Sequence, residues 1–210
     1  MTAYADALIG NRGLLEELIG FEPVTRAARL LLVRDLNDEI ARQAERWGQE
    51  DLAVQSLGLD PGVGQVDVEA VADENFHEGP HVSFLMAPPE RFPNVSVMAY
   101  MTAPAGSQLL DRADTSDLTL FVDTMVKAGP VPSGQETAFE TIVHRRIQRT
   151  TEAVNNVIQR DPMLLGTVLG HGPPRGGIGQ QAWVRNDGTS PTRYLWHGSR
   201  LQYTLQRITH

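Results

Sequence analysis

The segment from Ser133 to Arg160 constrains the fold most, because it predicts one long amphipathic helix. Apolar side chains recur at steps of three and four residues, which places them along one side of an α-helix. These residues are Phe139, Val143, Ile147, Thr150, Val154, Val157 and Ile158. Ser133 and Glu136 form a candidate capping box, and Asp161-Pro162 ends the helix. A helix of this length needs a sheet or other helices to cover its apolar side.

A second long helix is predicted near the N-terminus. It begins at Pro23, whose missing N–H is harmless in a first turn, and it ends at Gly48. Its apolar stripe consists of Leu32, Leu36, Ile40, Ala44 and Trp47. Residues 1–22 contain short apolar clusters broken by glycines, so we interpret them as an N-terminal extension. Residues 23–210 then form a single domain.

Alternating apolar residues predict strands between and after these helices. Val95 to Met101, opened by Pro93, and Leu118 to Val122 are expected to pair as a hairpin around a polar loop, Gly106 to Ser116. Weaker alternation predicts further strands at Val66 to Ala70 and at Val82 to Met86.

The C-terminal part predicts a closing hairpin. Gln181 to Arg185 and Tyr194 to Ile208 flank the turn signal Asn186-Asp187-Gly188, while the glycine-rich segment Gly166 to Gln180 is expected to form an irregular loop. The complete order of elements predicts an α+β fold, with a mainly antiparallel sheet and two long helices packed on it.

Composition excludes several classes of protein. The chain has 210 residues, a net charge of −8 and no cysteine, so disulfides, thiolate metal sites and cysteine nucleophiles are ruled out. No apolar run approaches the length of a membrane span, and the N-terminus lacks a basic start followed by an apolar block. We therefore expect neither a membrane segment nor a signal peptide.

The charge is divided unevenly along the chain. Residues 1–80 hold 16 acidic residues and 6 arginines, net −10, whereas residues 81–210 hold 10 acidic and 12 basic residues, net +2. Two interpretations are open. The two parts pack together within one fold, or an acidic face of one subunit meets a basic face of the next in a head-to-tail ring.

A basic patch on the central helix consists of Arg145, Arg146 and Arg149, with His144 beside them. Binding to nucleic acid is disfavoured, because a net charge of −8 repels phosphates at long range. Pairing with carboxylates of a neighbouring subunit, or simple solvation, accounts for the patch better. We therefore predict that the three arginines lie at a subunit interface.

The motif His77-Glu78-Gly79-Pro80-His81 matches the H-E-x-x-H pattern of zinc peptidases. That chemistry requires both histidines on one face of a helix, and Gly79-Pro80 opposes a helix at this point. A loop with solvated histidines is favoured. A metal-dependent hydrolase that uses His77, Glu78 and His81 is kept as an alternative.

No other motif predicts catalysis or a cofactor. The segment Gly170 to Gly179 lacks the lysine and hydroxyl of a phosphate-binding loop and precedes a strand rather than a helix. No G-x-S-x-G sequence is present. We therefore predict that the protein is not an enzyme and has no cofactor or metal.

The order of elements and one short motif resemble the tail terminator, or tail completion, proteins of long-tailed bacteriophages. The motif is the strand Arg91-Phe92-Pro93-Asn94-Val95-Ser96-Val97, and it follows a long N-terminal helix. Its partner strand at Asp117 to Val126, the helix Ser133 to Arg160 and the terminal strand ending Leu201 to Gln206 come next. Residues 1–22 and 58–90 have no counterpart in the resemblance.

The resemblance implies a structural virion protein at the head-tail junction, assembled in the host cytoplasm. Its expected form is a homo-oligomer, a hexameric ring on the last ring of the tail tube, which ends tube polymerisation and joins the tail to the head connector. Genomic DNA passes through the lumen without sequence-specific binding, and no membrane is involved. Another neck or tail component, such as a head-tail stopper or a tail-tube subunit, is the alternative.

Overall fold

Two long helices and a six-stranded sheet form the part of the chain that the computed structural model describes. The described residues are 22–60, 62–79, 92–101, 115–174, 183–186 and 194–208. In chain order the elements are α1 (Glu22–Ser56), a 3-10 turn (Asp73–Asn75), β1 (Phe76–Glu78), β2 (Asn94–Met101), β3 (Thr115–Ala128), α2 (Glu136–Arg160), β4 (Gly170–His171), β5 (Trp183–Asn186) and β6 (Leu195–Ile208).

The sheet is mixed and mostly antiparallel. Its strand order is β1-β2-β3-β6-β4, and β5 also pairs with β6. Only the pair β1–β2 is parallel among these. In the central ladders Val97 lies opposite Val122, and Val122 lies opposite Leu201. The predicted α+β class with a mainly antiparallel sheet is confirmed.

The main core lies between one face of the sheet and both helices. Alternate residues of β2, β3 and β6 point to this face, as the two-residue period of a strand requires. The sheet side of the core consists of Val95, Val97, Ala99, Leu118, Leu120, Val122, Leu201, Tyr203 and Leu205. Each large apolar side chain buried in this way contributes about 1.5 to 3 kcal/mol. This shared core holds α1 and α2 on the sheet.

Helix α2 confirms the predicted apolar stripe but not its predicted start. Six of the seven stripe residues are buried, and Phe139 is half-buried against a second apolar cluster. The capping box is wrong, because the helix begins at Glu136 after Gln135, which makes no side-chain capping bond. Gly134 has φ +83°, and Gln135 N–H donates to Pro132 C=O at 3.2 Å. This turn delays the helix beyond Ser133.

Helix α1 continues past Gly48, where the sequence predicted its end. Trp47 and Asp51 are both buried, so contacts with the rest of the fold hold the turns on either side of the glycine. The chain leaves the helix at Gly58, whose φ of +68° suits a residue without a Cβ. Within the predicted stripe Ala44 is exposed, and the other four residues are buried.

Both predicted hairpins are confirmed in their described parts. β2 pairs antiparallel with β3, which begins at Thr115, and β5 pairs antiparallel with β6. The predicted irregular loop from Gly166 contains the short strand β4, so that interpretation is wrong at Gly170 and His171. The predicted strand at Val66 to Ala70 is also wrong, because these residues are described and pair with none of the described strands.

Several sequence predictions fall on residues that the structure leaves undescribed. The strand at Val82 to Met86 and most of the loop at Gly106 to Ser116 lie outside the described residues. The N-terminal extension also lies outside them, except for Glu22, which begins α1. Neither α1 nor α2 combines the length and apolar character that crossing a membrane requires.

Replacing Leu36 by alanine tests the assignment of the main core. Leu36 is 0% exposed, so the change leaves a cavity between α1 and the sheet. We expect the free energy of unfolding to fall by about 2 to 5 kcal/mol, measured by urea denaturation.

Leu52→Ala is the matched control on the same helix. Leu52 is 46% exposed, so its truncation removes little buried area and is expected to cost less than about 1 kcal/mol. Equal losses of stability in the two variants would contradict the placement of Leu36 in the core.

Candidate functional site

The arginines of α2 face α1 and the segment that follows it. Arg149 is 6% exposed, and its guanidinium binds both carboxylate oxygens of Asp51, with Nη1 to Oδ2 at 2.9 Å and Nη2 to Oδ1 at 2.6 Å. The same group also donates to the backbone carbonyls of Val66 at 2.8 Å and Trp47 at 3.0 Å. The buried cation thus has its hydrogen bonds satisfied within the chain.

Asp51 is shared by two arginines and a backbone amide. Arg145 Nη1 donates to Oδ1 at 3.1 Å, and Val66 N–H donates to Oδ2 at 2.8 Å. Burial raises the pKa of Asp51, but the hydrogen bonds from Arg149 and Val66 and the two guanidinium charges outweigh burial. Its pKa therefore lies below the ordinary value, and the carboxylate stays charged at neutral pH.

Residues 63–72, here called the strap, run across both helices and are held by side chains. Arg146 donates to Asp67 C=O at 3.0 Å and to Glu69 Oε1 at 2.8 Å. The Asn37 amide bonds both the N–H and the C=O of Val71, each at 2.9 Å. These side chains form hydrogen bonds with main-chain groups of the strap, which a neighbouring strand would otherwise form. They explain why an alternating segment forms no strand here.

All three predicted interface arginines are thus brought together and paired with carboxylates of their own chain. Arg145 and Arg149 pair with Asp51, and Arg146 pairs with Glu69. For these residues the acidic and basic parts of the sequence pack together within one fold. Their contact with a neighbouring subunit stays a prediction.

A second charged cluster lies farther along the same helix pair and was missed by the sequence analysis. Glu39 is 1% exposed and accepts bonds from Arg42 and Arg160. Gln43 and Asn156 donate to its Oε1, each at 2.9 Å. The sequence carried one indication that Glu39 is buried. Glu39 lies on the same side of α1 as the apolar residues Leu36 and Ile40.

The H-E-x-x-H motif begins in a strand rather than in the predicted loop. His77 and Glu78 belong to β1, which pairs with β2. The zinc peptidase motif requires a helix at this point, so the strand at His77 and Glu78 does not have the geometry of that motif. Pro80 and His81 lie outside the described residues. Among described side chains, no group of three or more histidines and carboxylates is arranged to hold a metal.

A pocket of about 430 Å³ lies between the first turns of α2 and strand β6. Among the described residues, it is lined by Thr137, Glu140, Thr141, Val143, His144 and His197. The four polar residues of α2 follow an i, i+3, i+4, i+7 pattern and therefore share one face of the helix. The site thus joins one helix face to one strand residue.

His197 is the least exposed polar residue of this pocket. It is 5% exposed, its ring stacks on that of His144 with centroids 5.4 Å apart, and neither ring nitrogen has a hydrogen-bond partner among the described residues. Burial lowers the pKa of His197, and the charge of a protonated His144 lowers it further. The sequence carried one indication that His197 is buried. It lies two residues after the core residue Leu195 in β6, and residues at this spacing share one face of a strand.

Comparison with models of known protein families found no match, and a search of curated proteins found none either.

Arg149→Ala is expected to destabilise the fold strongly. The change leaves Asp51 buried and short of a partner, which typically costs about 3 to 5 kcal/mol. Arg46→Ala is the matched control, since Arg46 is half-exposed and pairs with Glu152 at the surface, where a pair is worth less than about 1 kcal/mol. Urea denaturation measures both. A cost for Arg149→Ala no greater than the control's would show that the buried pair does not hold the helices.

Stability is also expected to fall in mild acid because of His197. Its folded pKa lies below the ordinary 6.5, so below pH 6.5 the unfolded chain binds more protons than the folded one. The contribution of neutral His197 to the free energy of unfolding is fully present above pH 6.5. It is lost as the pH falls toward the pKa of His197 in the folded protein. Urea midpoints between pH 7.5 and 5.5 should decline in the parent and decline less in His197→Phe. Parallel curves would contradict a buried, neutral His197.

Proposed function

We propose that this protein is a structural subunit of a ring at the head-proximal end of a long-tailed phage tail. In this role it ends polymerisation of the tail tube and joins the tail to the head connector, while genomic DNA passes through the ring. The ring is a homohexamer, it binds the tail-tube protein on one side and the connector on the other, and it catalyses no reaction. The protein is then located in the virion, after assembly in the host cytoplasm.

The observation that carries the proposal is the order of elements along the chain. A long α1, the strand β2 opened by Pro93, its antiparallel partner β3, the long α2 and the terminal β6 follow one another in the order of the resemblance. The core between α1, α2 and the three long strands makes them one unit. This agreement supports the terminator over an unrelated α+β protein.

The exposed charges also suit the proposed role. Several acidic side chains on α1 and the segment after it are exposed: Asp38, Glu45, Glu50, Asp67, Asp73, Glu74 and Glu78. Carboxylates that face a lumen repel DNA and let it slide without binding. Arg145 and Arg146 keep 16% and 19% of their side chains exposed, which leaves both able to touch a neighbouring subunit.

Electron microscopy of the protein alone, and mixed with tail tubes from the same source, tests the proposal. We expect a six-fold ring, free or seated on one end of the tube, and tubes that stop growing once it is bound. Arg146→Ala is expected to weaken ring formation more than Glu45→Gln, which changes an exposed residue of α1.

The outcomes separate the candidate roles. A ring that binds the connector but no tube end would favour a head-tail stopper, and incorporation along the whole tube would favour a tube subunit. Monomers that bind neither tube nor connector would overturn the proposal.

A further inference from the structure

The first turns of α2, residues 136–144 and here called the flap, are held to the sheet less firmly than the rest of the helix. Of these nine residues, all of them described, only Val143 is buried. The helix also begins without a side-chain capping bond. The flap packs on the second apolar cluster through Phe139, Ile142 and Val143. A segment with so few buried apolar contacts opens at a low cost in free energy.

Beyond residue 144, α2 is anchored by charged groups and by the main core. Arg145 and Arg149 bind Asp51 of α1, and Arg146 donates to Lys127 C=O at 2.8 Å. The later turns contribute four residues to the main core, namely Ala153, Val154, Val157 and Ile158. The start of the helix is therefore able to open while the remainder stays on the sheet.

His197 lies beneath the flap, on a strand that is held from both sides. Val126 of β3 and Val184 of β5 lie opposite it in the two ladders. Its ring stacks on that of His144, an exposed residue at the end of the flap. Each ring nitrogen of His197 has less than 1 Å² of accessible surface and no hydrogen-bond partner among the described residues. A second proton on this ring would place a charge where neither water nor an acceptor reaches it.

The charged groups around His197 do not favour a cation at this point. From α2 the described titratable groups that face it are His144 and Glu140, whose exposed carboxylate lines the same pocket. Its other neighbours are neutral: Val126 of β3, Val184 of β5, Leu195 and Ser199 of β6, and residues 129–135 before α2. Burial lowers the pKa of His197 and a protonated His144 lowers it further, so the solvated charge of Glu140 does not outweigh them.

We propose that the flap opens in acid: when His197 takes up a proton from the solvent, residues 136–144 leave β6 and water hydrates the imidazolium. The pocket of about 430 Å³ beside the ring gives water room to enter. The rest of α2 stays in place, because the pKa of Asp51 lies below its ordinary value and its ion pair with Arg149 persists in mild acid. The flap uses contacts within one chain and does not depend on the proposed ring.

Hydrogen exchange of the full chain in low concentrations of urea tests the proposal. Rates are corrected for the effect of pH on chemical exchange. We expect the amides of residues 140–144 to exchange through a local opening with little dependence on urea, unlike those of residues 150–158. The opening constant of the flap should rise by up to about tenfold between pH 7.5 and 5.5, because a histidine with an ordinary pKa of 6.5 binds its proton mainly in the open form.

His197→Phe keeps a planar ring but cannot be protonated, so its flap should open to the same extent at both pH values. His77→Phe is the matched control and should respond to pH as the parent does, because β2 and β3 separate β1 from β6. The parent alone decides between a local and a global opening, whether or not the variants fold. The proposal is overturned if flap amides exchange only together with residues 150–158, if their opening constant does not rise in acid, or if His197→Phe keeps the parent's response.

Discussion

The ion pair between Arg149 and Asp51 is the interaction on which the placement of both helices depends. A buried guanidinium is tolerated only when nearly all its donors are used, and here two carboxylate oxygens and two backbone carbonyls use them. These partners come from α1 and from the strap. The cation therefore fixes three separate parts of the chain at one point, with a directionality that apolar contacts lack.

Glu39 repeats this arrangement farther along the same pair of helices. There too α1 supplies a buried carboxylate, and Arg160 and Asn156 of α2 supply donors. The apolar core between the helices tolerates small rotations and shifts, because contacts between alkyl groups are not directional. In both clusters α1 supplies the carboxylate and α2 the guanidinium, and a shift of one helix along the other would separate both pairs. We infer that they select the register of the helix pair, while the core supplies most of its stability.

Periodicity predicted the elements well where one face of a segment was apolar. The stripe of α2 and the alternation in β2, β3 and β6 were all visible in the sequence, because burial of one face leaves that pattern. The errors arose where distant side chains decided the local structure. Asp51 and Trp47 carried α1 past Gly48, and Arg146, Arg149 and Asn37 held an alternating segment apart from the sheet. The pocket was missed because its residues come from α2 and β6, which only the tertiary fold brings together.

The strap has a consequence for how this sequence is able to change. Arg146, Arg149 and Asn37 bind it through main-chain atoms of Val66, Asp67 and Val71, which every residue type except proline provides in the same form. Among the exposed side chains along the strap, Glu69 pairs with Arg146, and these main-chain bonds do not depend on the identity of the others. Substitutions at its exposed positions other than Glu69 are therefore expected to leave the fold intact, so the strap is a surface on which new recognition can evolve at little cost to folding.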